Sequence, residues 1–407
     1  MNTLLASVIV LLGATLWNGE SEPQRNTTII VRDDRIAAIG RDLAIPRGAR
    51  VIDVEGAIVT AGLIDPASQL GLIELTTGEP TAIEGTLGLG GDEPIRAALK
   101  ASDTFDPTAL AIEVARQQGI TSSAILPFGS VVAGQAAWIS LRDDAQPRRS
   151  SIALVVDLRA HGGKPGSRSR AFLRLREALE DARLYGAPGN SGAYIRRNLR
   201  ELAPSAQALD ALSRALEAEI KTLVVVDRAS DISTALQIVR DHKLDAVLLG
   251  AREGWRVARE IAASGVPVIL DPLANLPEGF DTLESRADNA LLLHRAGVRV
   301  AFTTGGPPDH AGRLRLIAGN AVAEGFPRQA ALAAITRLPA EIFGVKDEGR
   351  LRVGARADLV VWNGDPFEPL SWAQRMLIAG REIDLRTRQD MLTERYKERS
   401  GSSDTAR

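Results

Sequence analysis

The feature that most constrains this chain is a series of apolar runs too continuous for half-exposed strands. They are AIVTAGLID (57–65), ITSSAILP (120–127), SIALVVDL (151–158), TLVVVD (222–227), DAVLLG (245–250), PVILDP (267–272) and VRVAFTT (298–304). Between the later runs the period changes from continuous to helical. Ala171 to Leu184 sets Phe172, Leu173, Leu175, Ala178, Leu179 and Ala182 on one stripe, and Asp231 to Val239, Glu253 to Ala263 and Leu283 to Ala296 continue the alternation. Strands buried on both faces and separated by helices belong to a parallel sheet. Seven such strands within about 250 residues predict an α/β fold with a closed TIM-like (β/α)8 barrel rather than an open sheet. VVAGQAAWISL (131–141), or a segment within 66–119, is left to supply the eighth strand.

The chain ends follow a different pattern. VIVLLGATLW, NTTIIVRDD, RIAAIG and ARVIDVEG are short β-branched runs separated by Asn, Gly and Asp-Asp turns, with no helical period. After helical stretches at 311–323 and 328–337, GRLRVGARADLVVWNGDP and RMLIAGREI return to strand. Arg386 to Glu398 reads as a charged helix and SGSSDTAR as a solvated tail. The Gly-, Thr- and Glu-rich stretch 70–105 reads as a long loop after the first barrel strand, at the end where barrel active sites lie. Its glycines are not a phosphate loop, because no Lys-Ser/Thr follows them.

Composition narrows the function classes. With 407 residues, 45% hydrophobic and 25% charged, the chain has ample material for a large core. A formal net charge of −2 supplies no pull toward nucleic acid or anionic lipid. The absence of cysteine excludes disulfides, thiolate metal sites and a cysteine nucleophile. Met1 to Leu12 has the apolarity of a signal-peptide core, but no Lys or Arg precedes it and it flows into GATLWNG, so a buried strand is the reading preferred. The compartment stays open between cytoplasm and periplasm. No later segment carries the ~20 uninterrupted apolar residues of a membrane span.

At GLID (62–65), and again across AGNAVAEGF (318–326), ALAAITRLPAEIFGV (331–345) and GRLRVGARADLVVWNGDP (349–366), the sequence resembles the amidohydrolase superfamily, closest to its imidazolonepropionase-like branch. The opening GATLWNG…IIVRDDRIAAIG…IDVEGAIVTAGLID follows that family's entry pattern. The resemblance implies a composite β-sandwich of residues 1–56 and 349–385, a barrel over 57–348, and a C-terminal helix and tail over 386–407. Neither terminal piece has enough strands to bury a core alone, which agrees with their combination. It also implies a hydrolase of non-peptide C–N bonds, such as cyclic amides, with zinc as the family cofactor.

The residues for that metal are not where the resemblance requires them. The family's first barrel strand ends in D-x-H-x-H, two histidines on one face reaching one metal. Here Asp65-Pro66-Ala67-Ser68-Gln69 puts Ala67 and Gln69 at those positions, and Gly305 stands where the last strand carries its aspartate. TLVVVDRASDI offers Asp227 and no histidine, DAVLLGAREGW offers none, and SIALVVDL lacks the bridging Lys or Glu. A hydrolytic zinc needs about three protein ligands to bring its water's pKa near neutrality. No cofactor is therefore expected, and the metal site is read as lost.

Of the four histidines, His242 falls at the far end of the barrel and His294 inside a helix, both structural; Asp358 in the ADLVVW strand is also structural. His161 and His310 lie on loops at the catalytic face, and a rebuilt acid–base site would draw on His161, Asp227, Arg228, Asp309 and His310. Gln69, Arg228 and the amides of Gly305 and Gly306 would instead hold a polar ligand or anion. The expectation is an amidohydrolase-like protein that binds a small polar molecule or a protein partner. The alternative is an active C–N hydrolase working through a rebuilt or metal-free site. A homo-oligomer, or pairing with an active paralogue, is the third possibility.

Overall fold

The β-branched runs at the start of the chain form β1 (Val8–Leu16), β2 (Gln24–Arg32), β3 (Arg35–Gly40), β4 (Arg50–Asp53) and β5 (Ile58–Ala61). The computed structural model describes residues 8–73, 93–142, 147–159, 167–186, 204–306, 308–386 and 388–401. The Gly-rich stretch 74–92, His161 and Met1 to Ser7 lie outside the described residues. Asp33, at φ +54°, takes the left-handed position in the Asp-Asp turn that folds β2 back antiparallel on β3.

The apolar runs of the middle form β6 (Leu63–Ser68), β7 (Ile120–Ile125), β8 (Val132–Ser140), β9 (Arg149–Asp157), β10 (Lys221–Val226), β11 (Ala246–Gly250), β12 (Val268–Leu270) and β13 (Val300–Phe302). They hydrogen-bond in sequence order into one eight-stranded sheet. Helices Arg168–Gly186, Ala206–Leu216, Ala229–His242, Ala258–Ser264 and Asn289–Arg295 lie between the later strands. The eighth strand is β8, one of the two places the sequence left for it.

Its direction differs from expectation: β8 runs antiparallel to both neighbours, whereas the other paired strands of this sheet are parallel. The reason is the length of its connections. A parallel neighbour needs a crossover of about a dozen residues, usually a helix, and only six residues separate β7 from β8.

Side-chain period 2 divides each strand between two environments. On β9 and β10, Ala153, Val155, Leu223 and Val225 join the cluster that fills the barrel with Ile64, Ala136, Trp138, Val247, Ile269 and Ala301. Leu154, Val156, Val224 and Val226 point the other way, into the larger cluster shared with the helices. This explains why the runs are continuous rather than alternating. Trp138 donates from Nε1 to Glu348 Oε2 at 3.0 Å, and Glu348 is also held by Arg148 and by Arg356 Nη1 at 2.7 Å.

Among the described residues, β6 and β13 share no backbone ladder. Side chains join them: Thr303 Oγ1 donates to Asp65 Oδ1 at 2.6 Å, and Thr304 Oγ1 donates to Asp65 Oδ2 at 2.5 Å. The sheet thus comes round to a barrel closed by a carboxylate clasp.

After the barrel, β14 (Leu359–Trp362), β15 (Ala373–Ile378) and β16 (Arg381–Glu382) pair with the opening strands. β14 runs antiparallel to β5, so the second sheet takes strands from both ends of the chain. Asp358 accepts the Ala379 backbone N–H at 2.8 Å inside this sheet, buried and pushed up in pKa by that burial. His294 packs on Phe326 with ring centroids 4.8 Å apart. A charged helix, Arg388–Gly401, follows. Among the described residues no helix is long and apolar enough to cross a membrane.

Candidate functional site at the barrel mouth

The period that fills the barrel also delivers the polar groups at its mouth. Continuing the inward series Ala153, Val155 on β9 leads to Asp157; continuing Leu223, Val225 on β10 leads to Asp227; Ile269 on β12 is followed by Asp271, and Ala301 on β13 by Thr303. All four line one cavity of about 340 Å³, together with Ala67, Gln69, Gly250, Gly305, Gly306 and His310. The C-terminal ends of the parallel strands and the N-terminal end of antiparallel β8 form its floor, which is where barrels of this kind carry ligands.

Asp157 is paired within its own loop. Arg159 donates from Nη2 to Oδ2 at 2.8 Å and from Nε to Oδ1 at 3.1 Å. Asp227 is buried, and that burial pushes its pKa up against the pull of the nearby Arg159 and Arg252 guanidiniums. Its Oδ1 has no hydrogen-bond partner. Gly250, at φ +98°, makes room for it: a Cβ there would collide with that oxygen. Asp271 accepts the Leu273 backbone N–H at 2.8 Å, and burial raises its pKa to about 6 despite Arg313 nearby.

Of the residues singled out in the sequence, Gln69, Asp227, Gly305, Gly306 and His310 are brought to this cavity. His310 packs its Nδ1 against Gly306, where a Cβ would come within 2.6 Å, so a larger residue there would displace the imidazole. Arg228 is not in the lining: it precedes helix Ala229–His242, half-exposed, with Nη1 at 3.7 Å from Asp281. Asp309 lies in a short 3-10 turn, Pro308–Arg313, at the same end of the barrel. Asp157, Arg159, Arg252, Asp271 and Arg313 were not anticipated. A signal for the acids was present, since VVD, VVVD and VILD each end a buried run on an aspartate.

Residues 204–369 match the family described as "Amidohydrolase family". The chain is 24% identical over 373 residues to "Amidohydrolase tasK" of Hapsidospora irregularis, covering 79% of this chain and only 36% of that protein. It is 26% identical to the N-acyl-D-glutamate deacylase of Alcaligenes xylosoxydans xylosoxydans, over 88% of this chain and 87% of that one. In fold it is similar to the crystal structure of an amidohydrolase from Thermotoga maritima, with a TM-score of 0.82 at 24% identity, covering 93% of this chain and all of the other. The match over 204–369 and these relatives make the chain similar to amidohydrolases over most of its length.

The residues at the mouth do not fit the metal that this family implies. The first strand presents Ala67 and Gln69, the fifth ends at Asp227, the sixth at Gly250, and Gly305 follows the eighth. An alanine and two glycines have no side-chain donor, and a neutral amide is a poor zinc ligand. Among the described residues no three His, Cys, Asp or Glu side chains converge in a way that would hold a metal ion. The one buried carboxylate beside Ala67, Asp65, is engaged by Thr303, Thr304 and the Ala67 N–H.

Proposed function

We propose that this protein uses the amidohydrolase frame without the family's metal, as a binding protein for a small polar molecule at the barrel mouth. The observation that carries the reading is a contrast within one cavity. The positions the family gives to metal ligands hold Ala67, Gln69 and Gly305, while Asp157, Asp227, Asp271, Arg159, Arg252 and Arg313 keep the same cavity strongly polar. Buried charges of this kind are costly without a function or a partner. The test is elemental analysis of the full chain purified without chelator, followed by a thermal-shift screen of amides, lactams and acidic metabolites. Less than about 0.1 metal per chain together with a saturable shift from a screened compound is expected. Stoichiometric zinc, iron or manganese would sink this reading.

A second reading is an active hydrolase of non-peptide C–N bonds that needs no metal. It is favoured by Asp271, whose pKa of about 6 suits general acid–base work near neutrality, with His310 and Asp227 lining the same cavity. Hydrolysis of a cyclic amide that survives chelator and is lost in Asp271→Asn would favour it over simple binding.

The same reading proposes a division of the chain into a barrel over 57–348 and a sandwich of 1–56 and 349–385, with 386–407 appended. The pairing of β5 with β14, which reaches Ala61, supports the sandwich. Placement in the imidazolonepropionase-like branch rests on the C-terminal motif, Gly349 to Trp362.

A further inference from the structure

The charges lining the cavity are nearly all spoken for, and the few that are not have opposite signs. Among the described lining residues, four carboxylates (Asp157, Asp227, Asp271 and Glu278) face four guanidiniums (Arg159, Arg252, Arg286 and Arg313). Such a site is balanced and gives no net attraction to a simple cation or a simple anion. Most of the charges are paired: Arg159 with Asp157, Arg252 with Glu278 at 2.5 Å, and Arg286 with Asp288 at 2.7 Å while its guanidinium stacks over Trp255.

Of the buried carboxylate and guanidinium atoms in this lining, two lack a hydrogen-bond partner. Asp227 Oδ1 is an acceptor on a residue only 7% exposed, and no donor reaches it. Arg313 Nε is a buried donor without an acceptor, and no ion pair to its guanidinium forms among the described residues. A buried polar atom left unpaired costs roughly 1–3 kcal/mol, and more when the group is charged. A ligand that satisfies both atoms recovers that cost at each end. The same lining includes apolar surface from Leu126, Ala133, Leu249 and Leu270. At about 340 Å³ the cavity sits at the small end of ligand pockets, roughly 300–1,000 Å³.

We infer that the cavity binds a small zwitterion with an aliphatic carbon skeleton, the chemistry of a free amino acid, its ammonium on Asp227 and its carboxylate on Arg313. This rests on the binding reading above and specifies the class of ligand. The Gly250 position belongs to the same device, because a side chain there would collide with the Asp227 oxygen.

The test is calorimetric titration of the full chain with four compounds matched to one aliphatic skeleton: valine, 3-methylbutyrate lacking the amine, 2-methylpropylamine lacking the carboxylate, and the neutral 3-methylbutyramide. β-Alanine and leucine extend the zwitterion arm. Zwitterions are expected to bind at least about tenfold tighter than either singly charged compound. Asp227→Asn is expected to weaken the zwitterion about tenfold or more while sparing the carboxylate, and Arg313→Gln to spare the amine instead. If the carboxylate or the amide binds as tightly as the zwitterion, the zwitterion inference is overturned while the polar-ligand reading stands. If nothing in the panel binds at millimolar concentration but another metabolite from the thermal-shift screen does, the result is the same. If nothing binds in either experiment, both readings fall. The comparison on the unaltered chain decides the matter even where a variant does not fold.

Discussion

Asp271 follows β12 at the cavity wall, and its environment makes a prediction about pH. Burial outweighs the Leu273 hydrogen bond and Arg313, so its folded pKa of about 6 lies above the ordinary carboxyl value of 3.8. A carboxyl that titrates higher when folded contributes stability in its protonated form. That contribution is complete below about pH 3.8 and is lost as pH rises through about 6. Asp271→Asn removes the cost of the buried charge. It should stabilise the protein by roughly 1–3 kcal/mol at pH 8 and hardly at all at pH 4, read from denaturant midpoints at the two pH values. Glu348 illustrates the opposite case. It is 1% exposed and bound by Trp138, Arg148 and Arg356, so Glu348→Ala leaves the buried Arg356 with a depleted set of partners. A loss of about 3 kcal/mol or more is expected in urea unfolding, the cost of breaking a buried pair from one side. An effect below about 1 kcal/mol would mean the pair is not buried in solution.

Among the elements, β7 and β14 show how the barrel is tied to the outer sheet. Gly119, immediately before β7, has φ +86°, and a Cβ there would lie 2.5 Å from Trp362 Cη2 on β14. Trp362 is itself fixed by donating from Nε1 to Thr60 Oγ1 on β5 at 2.9 Å. It has no room to retreat. Gly119→Ala combines a left-handed backbone with an overlap against an immobile ring, and should cost about 2 kcal/mol or more in thermal or denaturant unfolding. The same variant with a smaller ring, Trp362→Phe, should recover part of that loss if the overlap is the cause. β8 makes a related point, since its antiparallel course places Trp138 across the barrel interior above Phe343, ring centroids 6.0 Å apart.

For the whole molecule, Asp65, Thr303 and Thr304 join the seam of the barrel, and the proposed function needs no metal ion there. Ligands that bind only the folded state raise apparent stability, with the logarithm of their concentration relative to Kd. A protein without a resident metal should therefore show the same melting temperature, within about 1 °C, before and after exhaustive dialysis against chelator. A fall of several degrees, restored by one divalent ion, would overturn the metal-free reading.

Much of this was legible in the chain alone. Burial on both faces forces continuous apolar runs, so the barrel strands could be counted from Ala57 to Thr304, and short β-branched runs at both ends identified the second sheet. Ala67, Gln69 and Gly305 could be placed at the barrel mouth because they sit beside clear motifs. Three things depended on the tertiary structure. The direction of β8 was hidden because an apolar run reads the same either way, and only the six-residue link to β7 selects the antiparallel pairing. The convergence of Asp157, Asp227 and Asp271 was hidden because strands far apart in sequence meet only when the sheet closes. Last, whether a charge is matched depends on neighbours across the barrel: Asp157 finds Arg159 and Arg252 finds Glu278, whereas Asp227 Oδ1 and Arg313 Nε find nothing. Local sequence sets which groups reach the mouth, because period 2 is a property of one strand. Which of them are left for a ligand is a property of eight strands together.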